Sequence, residues 1–372
     1  MRLNNFAFSS VLFLIASPAL GQSLDVKSLA SDLDSLRQAH AIPGLAAAVM
    51  VDGSTAWADG FGVADVDERV PVSSDTPFWI ASVTKTFVGL TFLQLADEGV
   101  IDLDAPMADL PEFDDFCRWL AGSGLAFSRG LDCAGPITVR TLLTHTSNGD
   151  VGHEFLYNPL LYSRLARYIE WVVNDSVEVE GRMNELARRV DSRIIVPAGM
   201  DRTVASQWDR SKMEVVFDMA RGYGVEGEGN DRRWVLRTPP KRALTAGAGI
   251  VSTVLDLVRY LAHLDDGALL SPKMKQQLLT PPTDRDGVAL PYAYGWYVQN
   301  YRGERVAWHG GWDEENGASA LLIWLPDRAA GFAVLANGEG IHWGNPLNAA
   351  TIEASDFARA FLDRFVNPDT NH

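Results

Sequence analysis

In the stretch Trp79–Val88, WIASVTKTFV, a serine and a lysine stand three residues apart inside an otherwise apolar run. On a helix that spacing makes Ser82 and Lys85 neighbours on one face. An ammonium buried in such a run is costly to keep charged, so its pKa falls and it can act as a base. A serine beside it is then a candidate nucleophile. The alternative is a serine that caps the helix and a lysine that reaches along the surface to water. Lys85 is the one lysine with serine at that spacing. Chance alone can supply such a pair, so other motifs must decide.

Four more segments follow in order: LLTHTS at Leu142–Ser147, GHEFLYNP at Gly152–Pro159, LTAGAGIVSTVLDLVRYL at Leu244–Leu261, and AWHGGW at Ala307–Trp312 before a segment ending in Leu325, Pro326 and Asp327. In this order they resemble the serine β-lactamase and penicillin-binding-protein superfamily, in particular the class C-like branch that also holds esterases and D-amino-acid peptidases. The likeness runs from about Ile42 to Asn337. It implies that Ser82 is acylated, that Lys85 takes its proton, and that Tyr157 sits across the site and shares the proton traffic. His309, Gly310 and Gly311 stand where many relatives carry Lys, Thr and Gly on the strand lining the pocket. The backbone N–H groups of Ser82 and Trp312 would form the oxyanion hole, worth about 3 kcal/mol per donor in such sites.

Physical chemistry agrees with these roles. A hydroxyl is a weak nucleophile until a neighbouring base removes its proton. A tyrosine titrates too high to serve as a base unless cations lower it, so Tyr157 has a role only beside Lys85. Glycines on a strand let another group approach closely. Two departures matter. The residue two places after Tyr157, usually Asn, is Pro159, leaving Asn158 as a substitute one place early. His309 replaces a permanent cation with a group that is mostly neutral near pH 7. Both weaken recognition of a substrate carboxylate and lean the reading toward esters or small amides.

The implied function is an exported serine hydrolase acting on a small ester, amide or peptide, with no cofactor. A non-catalytic penicillin-binding-like sensor or scaffold for cell-wall fragments is the other reading. No Gly-x-Ser-x-Gly occurs, which removes the main signature of α/β-hydrolases. His145 reads as a loop-holding residue. His145, Asp150, His153 and Glu154 match no helical or ribbon ligand spacing, so no metal site is expected. Trp308, Trp312 and Trp343 lie near the proposed pocket in sequence terms, although most tryptophans belong in cores.

These residues need elements to hold them. Leu29, Leu33 and Leu36 repeat at a helix period over Ser28–His40. LAAAVMV and AWADGFGVA, joined by Asp52, Gly53 and Ser54, predict a hairpin. The Ser82 segment continues as a long buried helix until Gly99. Residues 103–244 read as helices and irregular loops, a mostly helical insert. After Gly247 come a helix over STVLDLVRYLAHL, another near Lys273–Leu279, four strands (YGWYVQNY, RVAWHG, SALLIWLP, GFAVLAN) in a meander, and a last helix over Asn348–Phe365. The predicted fold is α+β: an antiparallel sheet flanked by N- and C-terminal helices, built from residues 22–102 and 245–372, with the helical domain of 103–244 inserted, as in the β-lactamase/transpeptidase folds the resemblance implies.

The 372 residues suffice for a large core, and a net charge of −16 argues against nucleic acid or an anionic membrane as partner. Residues 1–21 carry Arg2, a short apolar run and small residues up to Gly21, which reads as a secretory signal cleaved after Gly21. A secreted or periplasmic location follows, with no stable membrane insertion after cleavage. In that oxidising setting Cys117 and Cys133 are expected to pair.

Overall fold

The computed structural model describes residues 25–175, 183–227, 231–240 and 243–366. The expected signal segment, 1–21, lies outside them. The chain starts with α1 (Val26–Ala39), then β1 (Gly44–Val51), β2 (Ser54–Asp65), β3 (Val70–Pro71) and β4 (Phe78–Trp79). A 3₁₀ turn, Ala81–Val83, leads into α2 (Thr84–Asp97). Next come α3 (Phe113–Ala121), α4 (Val139–Leu143), α5 (Pro159–Tyr162), α6 (Arg164–Asn174), α7 (Glu185–Val190) and α8 (Met213–Phe217). The hairpin β5 (Tyr223–Glu226) and β6 (Arg233–Leu236) precedes β7 (Val251–Ser252), α9 (Val254–Asp265) and α10 (Pro272–Leu278). The meander β8 (Tyr292–Ala293), β9 (Trp296–Tyr301), β10 (Glu304–Asp313), β11 (Ala318–Leu325) and β12 (Ala330–Ala336) leads to α11 (Asp356–Phe365).

The main sheet has eight strands in the order β3-β2-β1-β12-β11-β10-β9-β8, with every neighbour pair antiparallel. Its central strands are apolar on both faces because helices cover both. Leu45, Ala47 and Val49 pack with Leu29, Leu33, Phe357 and Phe361 of the terminal helices. Ala46, Ala48 and Met50 face the opposite way, into a core that also holds Phe87, Leu90, Leu257 and Leu261. That second core runs without a break into Leu103, Leu120, Leu165 and Leu186, so the segment 103–244 shares its apolar interior with the sheet.

The predicted hairpin forms at Asp52–Gly53, both with positive φ (50° and 70°), the turn whose twist suits adjoining strands. Cys117 and Cys133 are joined by a disulfide that closes a loop spanning Trp119 to Leu131. Ser82 lies at the start of the long buried helix, as expected, on the 3₁₀ turn that leads directly into α2, and Ala81 before it takes a left-handed φ of 45°. One expectation needs correction. The last helix begins at Asp356 and not at Asn348: Ser355 caps it by accepting from the Ala358 N–H, and 348–351 has no helix.

Candidate active site

Three elements meet around Ser82. The short pair β4–β7 fixes the approach, with the Ile80 N–H donating to Ile250 O at 3.2 Å. The 3₁₀ turn then presents Ser82, and the first turn of α2 carries Lys85 beneath it. β10 lies alongside. Its pairing with β9 ends at Trp308, which leaves His309–Asp313 without a β9 partner on that side. A methyl group on Gly311 would sit 2.4 Å from Ile80 O and 3.3 Å from the Ala81 methyl. The absence of a side chain at 311 is therefore what lets the serine turn close on the strand.

Lys85 is fully buried. Its Nζ lies 3.0 Å from Ser82 Oγ and donates to Gly247 O at 2.9 Å. The rings of Tyr157 and Tyr162 stand 5.0 and 5.4 Å from the same nitrogen. No carboxylate balances it among the described residues. Burial alone lowers its pKa to about 7, so near neutral pH much of it is free amine. Burial pushes the Tyr157 phenol above its ordinary value. The phenol therefore stays protonated. Near neutral pH the amine is able to accept a proton and the phenol to donate one.

His309 does not reach the cleft. It is 1 % exposed, its Nδ1 donates to Gly310 O at 2.7 Å, and its Nε2 accepts from the Tyr292 hydroxyl at 2.9 Å. Burial, then the charge of Lys85, lowers its pKa to about 3. It is a neutral wall of the lysine chamber rather than a substrate cation. Asn158 is also spent on structure. Its Oδ1 caps α5 through the Leu161 N–H, and its Nδ2 donates to Phe127 O and Asn148 Oδ1. Pro159 accounts for this: it sits at the first position of α5, where proline is favoured, and the preceding residue becomes the cap. The Asn158 N–H donates to His145 Nδ1 at 3.1 Å, which makes the buried, uncharged His145 the loop-holding residue expected.

Gly310 faces the Trp343 ring, which a methyl group would meet at an ordinary 3.7 Å. Trp308 is buried against Tyr297, with ring centroids 4.2 Å apart. Trp312 is half open, stacked on His342 at 4.6 Å, and lines the cleft. Asp150 is paired with Arg285, and His153 Nδ1 meets Thr283 O, so these residues serve the loop.

The cleft above Ser82 and Lys85 has a volume of about 910 Å³. Its walls include Arg164 and Arg167 on α6 and Trp208, which the motifs did not single out, and Thr245 and Gly247 of the Leu244–Leu261 segment. Gly247 belongs to the glycine-rich LTAGAG segment, and its carbonyl turns out to orient Lys85. Arg164 and Trp208 carry no local signal, since only the fold brings them to the serine.

The family model described as Beta-lactamase matches residues 29–355. The D-aminopeptidase of Brucella anthropi is 27% identical over 303 residues, which is 77% of this chain and 55% of that protein. The chain thus spans about half the length of that relative. Among solved structures, the octameric penicillin-binding protein homologue from Pyrococcus abyssi superposes with a TM-score of 0.68 at 24% identity, covering 85% of this chain and 74% of the other. A class C beta lactamase from Rhodobacter sphaeroides superposes with a TM-score of 0.62 at 19% identity, covering 91% of this chain and 98% of the other. At these identities the two structures speak for the fold alone.

Proposed function

The chain belongs to the beta-lactamase family, and from that membership we propose that it is a serine hydrolase forming an acyl-enzyme at Ser82 on ester or amide substrates. The observation that carries this reading is a buried, uncompensated Lys85 with its Nζ 3.0 Å from Ser82 Oγ. The free amine accepts the hydroxyl proton as Oγ attacks the substrate carbonyl, and the N–H groups of Ser82 and Trp312 receive the developing oxyanion. The Tyr157 phenol, whose ring stands 5.0 Å from Lys85 Nζ, hands a proton to the departing alcohol or amine and is replenished from the Lys85 ammonium. Water then repeats the attack with the same base and frees the acid.

His309 and Asn158, both turned into the protein, supply no polar contact to substrate, which favours esters and small amides over penicillins. The D-aminopeptidase relative adds D-amino amides to the candidates. We read residues 22–102 and 245–372 as the sheet unit and 103–244 as the insert. The Cys117–Cys133 bond fits export.

Short-chain 4-nitrophenyl esters, D-amino acid 4-nitroanilides and nitrocefin, each with wild type and Ser82→Ala, test the reading. Ester or anilide turnover that vanishes in Ser82→Ala is expected. Equal rates in the two proteins would refute it, and a stable penicillin adduct without turnover would favour a sensor.

A further inference from the structure

The α6 wall of the cleft carries a cation, Arg164, with no carboxylate partner among the described residues. Arg164 lines the same cavity as Ser82 and Lys85. Its guanidinium is laid on the Phe116 ring at 4.0 Å and donates through Nη2 to Ser163 Oγ at 3.1 Å. Its Nε is buried with no hydrogen-bond partner. No carboxylate pairs with Arg164 among the described residues, although the chain has 48 Asp and Glu against 32 Lys and Arg. Burial first, and the charge of Arg167 second, lower its pKa to about 10, so it remains charged at neutral pH. Arg193, Arg189 and Arg328, also partly buried, are matched to Glu98, Glu185 and Glu304, whereas Arg237, away from this cleft, shares with Arg164 a buried Nε that has no partner. A half-buried, stacked and unmatched guanidinium is costly unless an anion arrives from outside. The same cavity is lined by Arg167, Asp313 and Glu315, and His309 on β10 is buried behind it, neutral with both nitrogens engaged, so β10 does not offer that anion a cation.

Resting on the Ser82 reading, we propose that Arg164 is the specificity residue of the cleft and receives a carboxylate carried by the substrate. The Phe116 face and Ser163 hold the guanidinium flat and leave Nη1 free, the geometry suited to a planar, end-on carboxylate contact. The preferred substrates are then esters or amides with a free carboxylate elsewhere in the molecule. The anion is read from the insert side rather than from the strand where relatives carry lysine.

Mono(4-nitrophenyl) adipate and its neutral methyl ester, assayed on wild type, Arg164→Gln and Arg164→Lys, provide the test. Wild type is expected to favour the charged ester in kcat/KM by about 10-fold or more, the range of a lost charge-assisted hydrogen bond. The effect should lie mainly in KM. Arg164→Gln should lose that preference, and Arg164→Lys should restore part of it. No preference in wild type, or an undiminished one in Arg164→Gln, overturns the proposal. A chain that hydrolyses neither ester refutes the Ser82 reading instead. The anion site is then read from quenching of tryptophan fluorescence by adipate in Ser82→Ala, with Trp208 and Trp312 as reporters. Saturable quenching at least about 10-fold weaker once Arg164→Gln is added supports it; quenching independent of Arg164 overturns it.

Discussion

Lys85 carries the account at the scale of a residue. Its pKa near 7 comes from burial without a counter-charge, so activity must follow the free amine. For a neutral ester, kcat/KM should rise with pH through an apparent pKa of about 7 and level off above it. A stopped-flow or steady-state pH profile checks this; a flat profile from pH 5 to 9 would contradict it. The same burial has a stability signature. The native state binds this proton more weakly than the unfolded chain, so the lysine costs stability below its ordinary value of 10.5, increasingly as pH falls to about 7 and constantly below that. Lys85→Met should therefore abolish turnover yet raise the unfolding free energy by about 2–4 kcal/mol at pH 6 and by much less at pH 10. Denaturant titrations at the two pH values measure it. The serine and the lysine were legible as residue types at fixed spacing, and the tyrosine only through the family resemblance of GHEFLYNP. The inward turn of His309 was not, because it depends on Tyr292 seventeen residues away.

At the scale of elements the site depends on how closely the serine turn lies against β10. Gly311→Ala would place a methyl 2.4 Å from Ile80 O, whereas Gly310→Ala would only touch the Trp343 ring at 3.7 Å. Gly311→Ala is expected to lower kcat/KM by about 100-fold and to destabilise by about 1–3 kcal/mol, as overpacking does, while Gly310→Ala stays within about 3-fold. Kinetics and thermal melts of the pair decide it, and equal behaviour would show that the strand does not set the serine's position. A similar close approach occurs at Gly89, whose missing methyl would lie 1.7 Å from Tyr294 O. Only the fold identifies that neighbour. The β1–β2 hairpin and the meander were readable because their turns and alternation are local. The start of α11 was overrun because the preceding residues Asn348–Ala350 look compatible with a helix, and the cap at Ser355 decides only in context. Pro159, read as a departure in a catalytic motif, turns out to be the first residue of a helix that makes Asn158 its cap.

At the scale of the molecule, the sheet and the segment 103–244 share one core, and the cleft forms where the two meet over Ser82. No composition or periodicity could have placed Arg164, Trp208 and Trp312 around one cavity, since their positions are more than forty residues apart. A chain with net charge −16 repels anions over most of its surface, and in the cleft, where Asp313 and Glu315 also stand, Arg164 and Arg167 are the groups that would hold one. All of this presupposes that Ser82 reacts. The most direct measurement is intact mass and peptide mapping after treatment with a fluorophosphonate at pH 8, with Ser82→Ala and Lys85→Met as companions. The account predicts one adduct per chain, mapped to Ser82, absent in Ser82→Ala and strongly slowed in Lys85→Met. An unmodified wild type, or an adduct on another residue that persists in Ser82→Ala, would contradict it.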